Sequence, residues 1–197
     1  MNALVMVDVQ NDFISGSLAV PNGRDIVPVL NKIQNDFDLV VATQDWHPHD
    51  HKSFAANNEG KSIGDIIDLN GTQYFLWPEH CVQMTTGAQI APRLDVRKVA
   101  AIFRKGMNKM VDSYSAFCDN DRETDTYLAH YLRSAGVVDV FIAGLATDYC
   151  VKFTALDAVE RGFNVKLVVD ACRGVNVNPG DVDAALKEME SCGIELV

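Results

Sequence analysis

The stretch VVDVFIAGLATDYCVKFTALDAVERG, residues 137–162, passes from one structural period to another within a few residues. Its opening, Val137–Ala143, is an apolar run rich in β-branched residues and reads as a buried strand. From Cys150 to Arg161 the residues Val151, Ala155, Ala158 and Val159 fall on one helical face, and Gly162 stops the pattern. A further apolar run, Val165–Val169, follows. Outward from this unit the same rhythm recurs. Leu4–Val9, Leu39–Thr43, Val99–Phe103 and Ile194–Val197 are the other strand candidates, and Ile26–Asp36, Arg122–Ala135 and Asp181–Ser191 the other helices. The helix over 122–135 rests on Asn120 and Glu123 at capping-box spacing and on Gly136 beyond its end. Near-continuous hydrophobicity in the strands predicts an α/β fold, a six-stranded parallel sheet flanked by helices on both faces.

One segment breaks the rhythm. From about residue 45 to 96 the chain holds Trp46, Trp77, clustered histidines and several Gly and Pro residues, without a long periodic pattern. A loop of that length inside one compact domain of residues 1–197 is expected to serve function. Composition narrows the class of function. Net charge is −10, which argues against nucleic acid or an anionic membrane as partner. No apolar run approaches the ~20 residues that span a bilayer. The start, MNALVMVDVQNDF, lacks the basic region of a signal peptide. Five irregularly spaced cysteines fit reduced thiols, so a cytoplasmic protein is expected.

In open parallel sheets, ligands bind beyond the carboxyl ends of the strands. Chemically capable residues recur there: Asp8 at the end of the first strand, Asp45 and His47 after the second, Lys105 after the third and Cys150 at the helix after the fourth. Each has a plainer reading alone. Asp8 can cap a turn, Lys105 can be a solvated surface lysine, and Cys150 can be a small buried hydrophobe. Four placements from four strands point instead to a site. In GLATDYC, Thr147 and Asp148 are N-cap candidates, which puts the Cys150 thiol in a first helical turn, where N–H groups favour a thiolate or an oxyanion. A second group is TQDWHPHDH at 43–51 with His80 in FLWPEHC. Asp45 and His47 are two apart, so an extended backbone turns both to one face, and His51 follows a Pro-containing turn. Carboxylate with imidazole suits zinc, iron or manganese. His49 is the expected bystander, and the plainer reading is a histidine-rich surface loop.

Taken together, DVQNDF at 8–13, TQDWHP at 43–48, WPEHCV at 77–82, FRKG at 103–106, DSYSAF at 112–117 and GLATDYCV at 144–151 resemble the nicotinamidases of the isochorismatase-like cysteine hydrolase superfamily. VVDACRGV at 168–175 is similar too. The resemblance implies a catalytic triad of Asp8, Lys105 and Cys150, and one divalent transition metal, zinc foremost, on Asp45, His47, His51 and His80. It implies an oxyanion hole from the N–H groups of Ala146 and Cys150 after a cis Leu145–Ala146 bond. It also implies a substrate ring held among Phe13, Trp77, Tyr114 and Tyr149, residues whose plainer reading is core packing. Cys81 and Cys172 receive no role.

The implied reaction is hydrolysis of nicotinamide, and of pyrazinamide, to the acid and ammonia through a cysteine thioester, a step of NAD salvage. Its small-molecule substrate is the only partner expected; the oligomeric state is left open. Three rivals stand beside it. An isochorismatase would not need the metal set, an N-carbamoyl amidase would lack the histidines, and a non-catalytic binding module would not need Asp8, Lys105 and Cys150 together.

Overall fold

A computed structural model describes residues 1–69 and 72–197. At its centre lies a six-stranded sheet in the order β5-β2-β1-β6-β7-β8, with every neighbouring pair parallel. The strands are β1 (Asn2–Val7), β2 (Leu39–Asp45), β5 (Val99–Lys105), β6 (Asp139–Leu145), β7 (Asn164–Arg173) and β8 (Glu195–Leu196). Each overlaps one of the six apolar runs. The innermost, β1, carries Ala3, Leu4, Val5, Met6 and Val7, all completely buried, which is why its sequence is apolar without alternation. It stops at Val7 because Asp8 takes a left-handed backbone, φ 49°.

Helices flank the sheet: α1 (Asn11–Ile14), α2 (Ile26–Ile33), α3 (Leu128–Ser134), α4 (Lys152–Glu160) and α5 (Asp181–Ser191). In α2 the buried residues Ile26, Val27 and Leu30 share one face, and α4 packs on β6, β7 and α5. Among the described residues no helix is long and apolar enough to cross a membrane.

The helix expected over 122–135 begins only at Leu128. The preceding residues are held by the segment around Phe117. Thr126 donates its N–H to Phe117 O at 2.9 Å and its hydroxyl to Ala116 O at 2.7 Å, and Cys118 bridges Asp125 antiparallel. Asn120 forms no capping box, because its side-chain oxygen accepts the Tyr114 N–H at 3.0 Å. Tertiary hydrogen bonds outweigh the local helix signal here. The irregular region 45–96 contains a short antiparallel pair, β3 (Ile66–Leu69) with β4 (Thr72–Phe75), which no strand candidate anticipated. Ile66 is exposed there, so apolar alternation did not mark it.

Candidate active site

Strand order explains how distant residues meet. The chain runs from β1 to β2 on one side and later returns through β6 on the other, so β1 lies at a topological switch point. Lys105, Asp45, Asp8 and the β6–α4 turn therefore stand in a row along the carboxyl ends of β5, β2, β1 and β6. Asp45 and Lys105 are direct partners in the β2–β5 register, which sets the carboxylate against the ammonium. Thr43, two residues before Asp45 on β2, accepts the Asp8 N–H at 3.0 Å and donates its hydroxyl to Asp8 Oδ1 at 2.6 Å.

Lys105 is no surface lysine: its side chain is completely buried. Its Nζ lies 2.9 Å from Asp8 Oδ2 and 3.5 Å from Cys150 Sγ, donates to Ser113 O at 3.1 Å, and pairs with Asp45 Oδ1. Oxygens of Asp8 and Asp45 and the Cys150 sulfur all lie within 4.8 Å of one another. Burial alone would push the lysine pKa down, but Asp45 and Asp8 outweigh it and hold the ammonium charged. Burial raises Asp8 above the usual carboxylate range against the opposing pull of Lys105. Burial also drives the Cys150 thiol well above its ordinary value, with Lys105 only partly compensating. Burial thus works against the thiolate that a helix start alone would favour.

Cys150 lies in one π-helical turn, Thr147–Val151, ahead of α4. The Leu145–Ala146 bond is cis, and Ala146 is the residue at the start of that turn. Asp148 does not cap it. Its carboxylate instead accepts the N–H groups of Val175 at 2.9 Å and Asn176 at 2.7 Å, fixing the loop after β7. Gly144, at φ 132°, lets β6 approach β1 closely, since a Cβ there would overlap the Val7 backbone.

Three of the expected metal ligands converge. Donor atoms of Asp45, His47 and His80 lie within 4.8 Å of one another, and all three residues are buried. His47 Nδ1 faces Gly106 O at 2.9 Å and His80 Nδ1 faces Pro78 O at 2.8 Å, so each imidazole spends its proton on a carbonyl and leaves Nε2 toward Asp45 Oδ2. The pKa of His80 falls to about 4, through burial first and His47 second. His51 is placed differently. It packs beside His47, ring centroids 4.6 Å apart, but Ser53 N–H donates to its Nδ1 at 3.2 Å and its Nε2 faces Val111 O at 3.1 Å. Both ring nitrogens are occupied, so the fourth expected ligand stands behind the other three rather than among them.

The expected aromatics Phe13, Trp77, Tyr114 and Tyr149 line one cavity together with Ala146, Cys150, Asp45, His47 and His80. Trp77 meets Tyr149 edge-on at 4.8 Å and donates its indole N–H to the Tyr114 hydroxyl at 3.3 Å. Leu18, Asp112, Ser113 and Val175 line it too, and sequence reasoning missed all four. Asp112 and Ser113 lay inside the quoted DSYSAF motif, which was the available signal. Gln10 was missed as well. Its side-chain amide donates to Asp45 O at 2.8 Å and accepts Asp45 N–H at 2.8 Å, locking the backbone of that residue. Cys81 braces the same region by accepting the His47 N–H at 3.0 Å.

Gly106, at φ 65°, offers a stability test, because a Cβ there would run into the His47 imidazole. Gly136, at φ 76°, has nothing within 4 Å of the same position. Gly136→Ala should cost only the left-handed backbone penalty, roughly 1–2 kcal/mol. Gly106→Ala should cost about 1–3 kcal/mol more through overpacking. Thermal melts of the two variants check this; equal losses would contradict the contact.

This sheet, with a buried cysteine, lysine and aspartate at its switch point, belongs to a known class. The chain is a member of the isochorismatase-domain family, whose profile, described as Isochorismatase domain, matches residues 2–197. Within that family the similarity is to nicotinamidases. The chain is 45% identical to a nicotinamidase of Acinetobacter baylyi over 99% of its own length and 91% of that protein. The solved Acinetobacter baumanii nicotinamidase/pyrazinamidase superposes with a TM-score of 0.96 at 44% identity, covering 100% of this chain and 95% of the other. A pyrazinamidase of Pyrococcus horikoshii solved in complex with zinc gives 0.81 at 40% identity, covering 100% and 98%.

Proposed function

We propose that this chain hydrolyses nicotinamide to nicotinate and ammonia, with Cys150 as nucleophile. The observation that carries the proposal is the contact of Lys105 with both Asp8 Oδ2, at 2.9 Å, and Cys150 Sγ, at 3.5 Å, in a cavity walled by four aromatic rings. The 45% identity to a nicotinamidase supports the choice of substrate.

The chemistry follows from the charges. Asp8, ionised beside Lys105, takes the thiol proton as the sulfur attacks the carboxamide carbon. Negative charge then moves to the carbonyl oxygen, where the N–H groups of Ala146 and Cys150 are the intended donors. Asp8 returns the proton to the departing nitrogen, the C–N bond breaks, and ammonia leaves a thioester. Asp8 next takes a proton from water; the resulting hydroxide attacks, the C–S bond breaks, and the proton goes back to the thiolate. Lys105 remains charged throughout and keeps both anionic partners in place.

A metal fits beside this triad. Two imidazoles whose Nε2 atoms face the Asp45 carboxylate form with it a donor set suited to zinc, iron or manganese, and each histidine is oriented by a backbone carbonyl. Asp45, His47 and His80 would hold the ion, with His51 packed behind them. An ion bound there supplies a Lewis acid that orients a pyridine nitrogen and draws electron density from the amide. The five free cysteines support a reducing, cytoplasmic setting.

Ammonia release tests the reading. Nicotinamide and pyrazinamide carry a ring nitrogen for the metal, whereas benzamide has the same amide without it. A site built around a polar contact rejects an analogue lacking it by a factor of about 10⁴ or more. Turnover is expected on the first two and essentially none on benzamide or isochorismate. Comparable rates on benzamide would overturn the metal's role, and activity on isochorismate alone would overturn the substrate.

A further inference from the structure

Charge at the metal end of the cavity is not fully compensated by the protein. Lys105 is paired with Asp8 and Asp45. Asp112 lines the same cavity, is 4% exposed and joins no ion pair among the described residues. Its Oδ1 accepts the Ser113 N–H at 2.9 Å, whereas Oδ2 is buried without a well-formed hydrogen bond, the Tyr114 hydroxyl approaching the carboxyl only loosely. The backbone at Asp112 is fixed, because its carbonyl accepts the Asn120 N–H at 2.9 Å. A buried carboxylate oxygen with neither hydrogen bond nor cation is costly, so a partner is expected to arrive from outside the chain. Burial raises the Asp112 pKa against the opposing pull of His47, and His47 and His80 line the cavity with it, so a cation at that end would hold the carboxylate ionised. Asp112 nevertheless stands outside the 4.8 Å group formed by Asp45, His47 and His80.

Resting on the metal reading above, we infer that Asp112 is an outer-sphere carboxylate of the metal centre. Its Oδ2 offsets the charge of the ion and accepts a hydrogen bond from a water held by the ion, without bonding the ion itself. Such partners commonly set metal affinity by a factor of about 10–100. Asp112 is therefore a positioning residue: it acts through the ion and not on the amide.

The test uses Asp112→Asn, which keeps the shape and the acceptor for Ser113. Zinc affinity is measured by chelator competition, the absorption spectrum is recorded after cobalt substitution, and melting is followed with and without zinc. Zinc affinity should fall about 10–100-fold and the cobalt bands should shift. The zinc-free variant should melt no lower than zinc-free wild type, because an uncompensated buried charge is gone, while its zinc-induced rise should be smaller. Tyr114→Phe removes the hydroxyl that approaches the Asp112 carboxyl but keeps the carboxylate itself, and should bind zinc as wild type does. Wild-type zinc affinity in Asp112→Asn, or equal weakening in Tyr114→Phe, would overturn the inference while leaving the metal reading intact. Failure of the wild-type protein to bind zinc would overturn both.

Discussion

Replacing Cys150 with alanine should abolish ammonia release from nicotinamide, by a factor of about 10⁴–10⁶, and leave the fold intact. The two halves of that expectation have different causes. Turnover disappears because, among the described residues, no other cysteine sulfur hydrogen-bonds with Lys105 Nζ. The fold survives because Cys150 is small, and truncation to alanine removes one buried sulfur from a cavity wall rather than from between packed strands. Alkylation gives a second readout with a less obvious sign. Since burial raises the thiol pKa, reagent should react slowly with resting enzyme despite the nucleophilic role, and exposed Cys192 should be modified first. Labelling of Cys150 should accelerate only where a reagent carries an amide or aromatic group that fits the cavity. Turnover by Cys150→Ala near the wild-type rate would remove the cysteine from the mechanism.

The sheet was legible because its strands are buried on both faces. Leu4–Val7 and Leu39–Ala42 are continuously apolar, and the runs Leu4–Val9 and Leu39–Thr43 end within two residues of the observed strands. Where local and tertiary signals disagree, the sequence misled. Asn120 and Glu123 have the spacing of a capping box, yet Asn120 is recruited by the Tyr114 N–H three-dimensionally close by, and the helix waits until Leu128. Asp148 likewise has the identity of a cap but serves the loop at Val175 and Asn176. Cap residues are good hydrogen-bond acceptors anywhere, so their identity does not specify their partner.

The site was legible in a different way. Asp8, Asp45 and Lys105 lie at the ends of apolar runs and Cys150 opens the helical pattern after one, which is visible along the chain. What the chain does not display is which nitrogen of a histidine remains free. His47, His51 and His80 look equivalent in sequence, and only the carbonyls of Gly106, Pro78 and Val111 with the Ser53 N–H separate two open imidazoles from one occupied one. Gln10 was overlooked for the same reason, because its importance lies in two hydrogen bonds to the backbone of Asp45, 35 residues away.

Lys105→Met is expected to be the most damaging single change to the molecule as a whole. Methionine nearly matches the lysine stem in volume, so packing is largely kept and the loss is electrostatic. Two buried carboxylates, Asp8 and Asp45, lose the ammonium that compensates both. Breaking a buried pair by removing one partner costs about 3–5 kcal/mol, which for a domain of this size lowers the melting temperature by roughly 6–20 °C. Activity should fall by at least about 10³-fold, since Asp8 can no longer hold its charge to accept the thiol proton. The pH dependence has a definite sign. Burial already raises Asp8, and loss of Lys105 raises it further, so the folded variant binds this proton more tightly than the unfolded chain does. Its contribution to stability is present below the ordinary carboxylate range and is lost as pH rises through the raised value. The gap between variant and wild type should therefore narrow on mild acidification and widen toward neutrality. Adding Asp8→Asn to Lys105→Met removes one of the two stranded charges, so the double variant should melt higher than Lys105→Met alone while being scarcely less active, as residues acting as a unit are not additive. Melting curves across pH and single-turnover rates for Asp8→Asn, Lys105→Met and the double variant measure all of this. Independent, multiplicative losses in rate, or a stability gap indifferent to pH, would mean that Lys105, Asp8 and Cys150 do not work as one charge-coupled group.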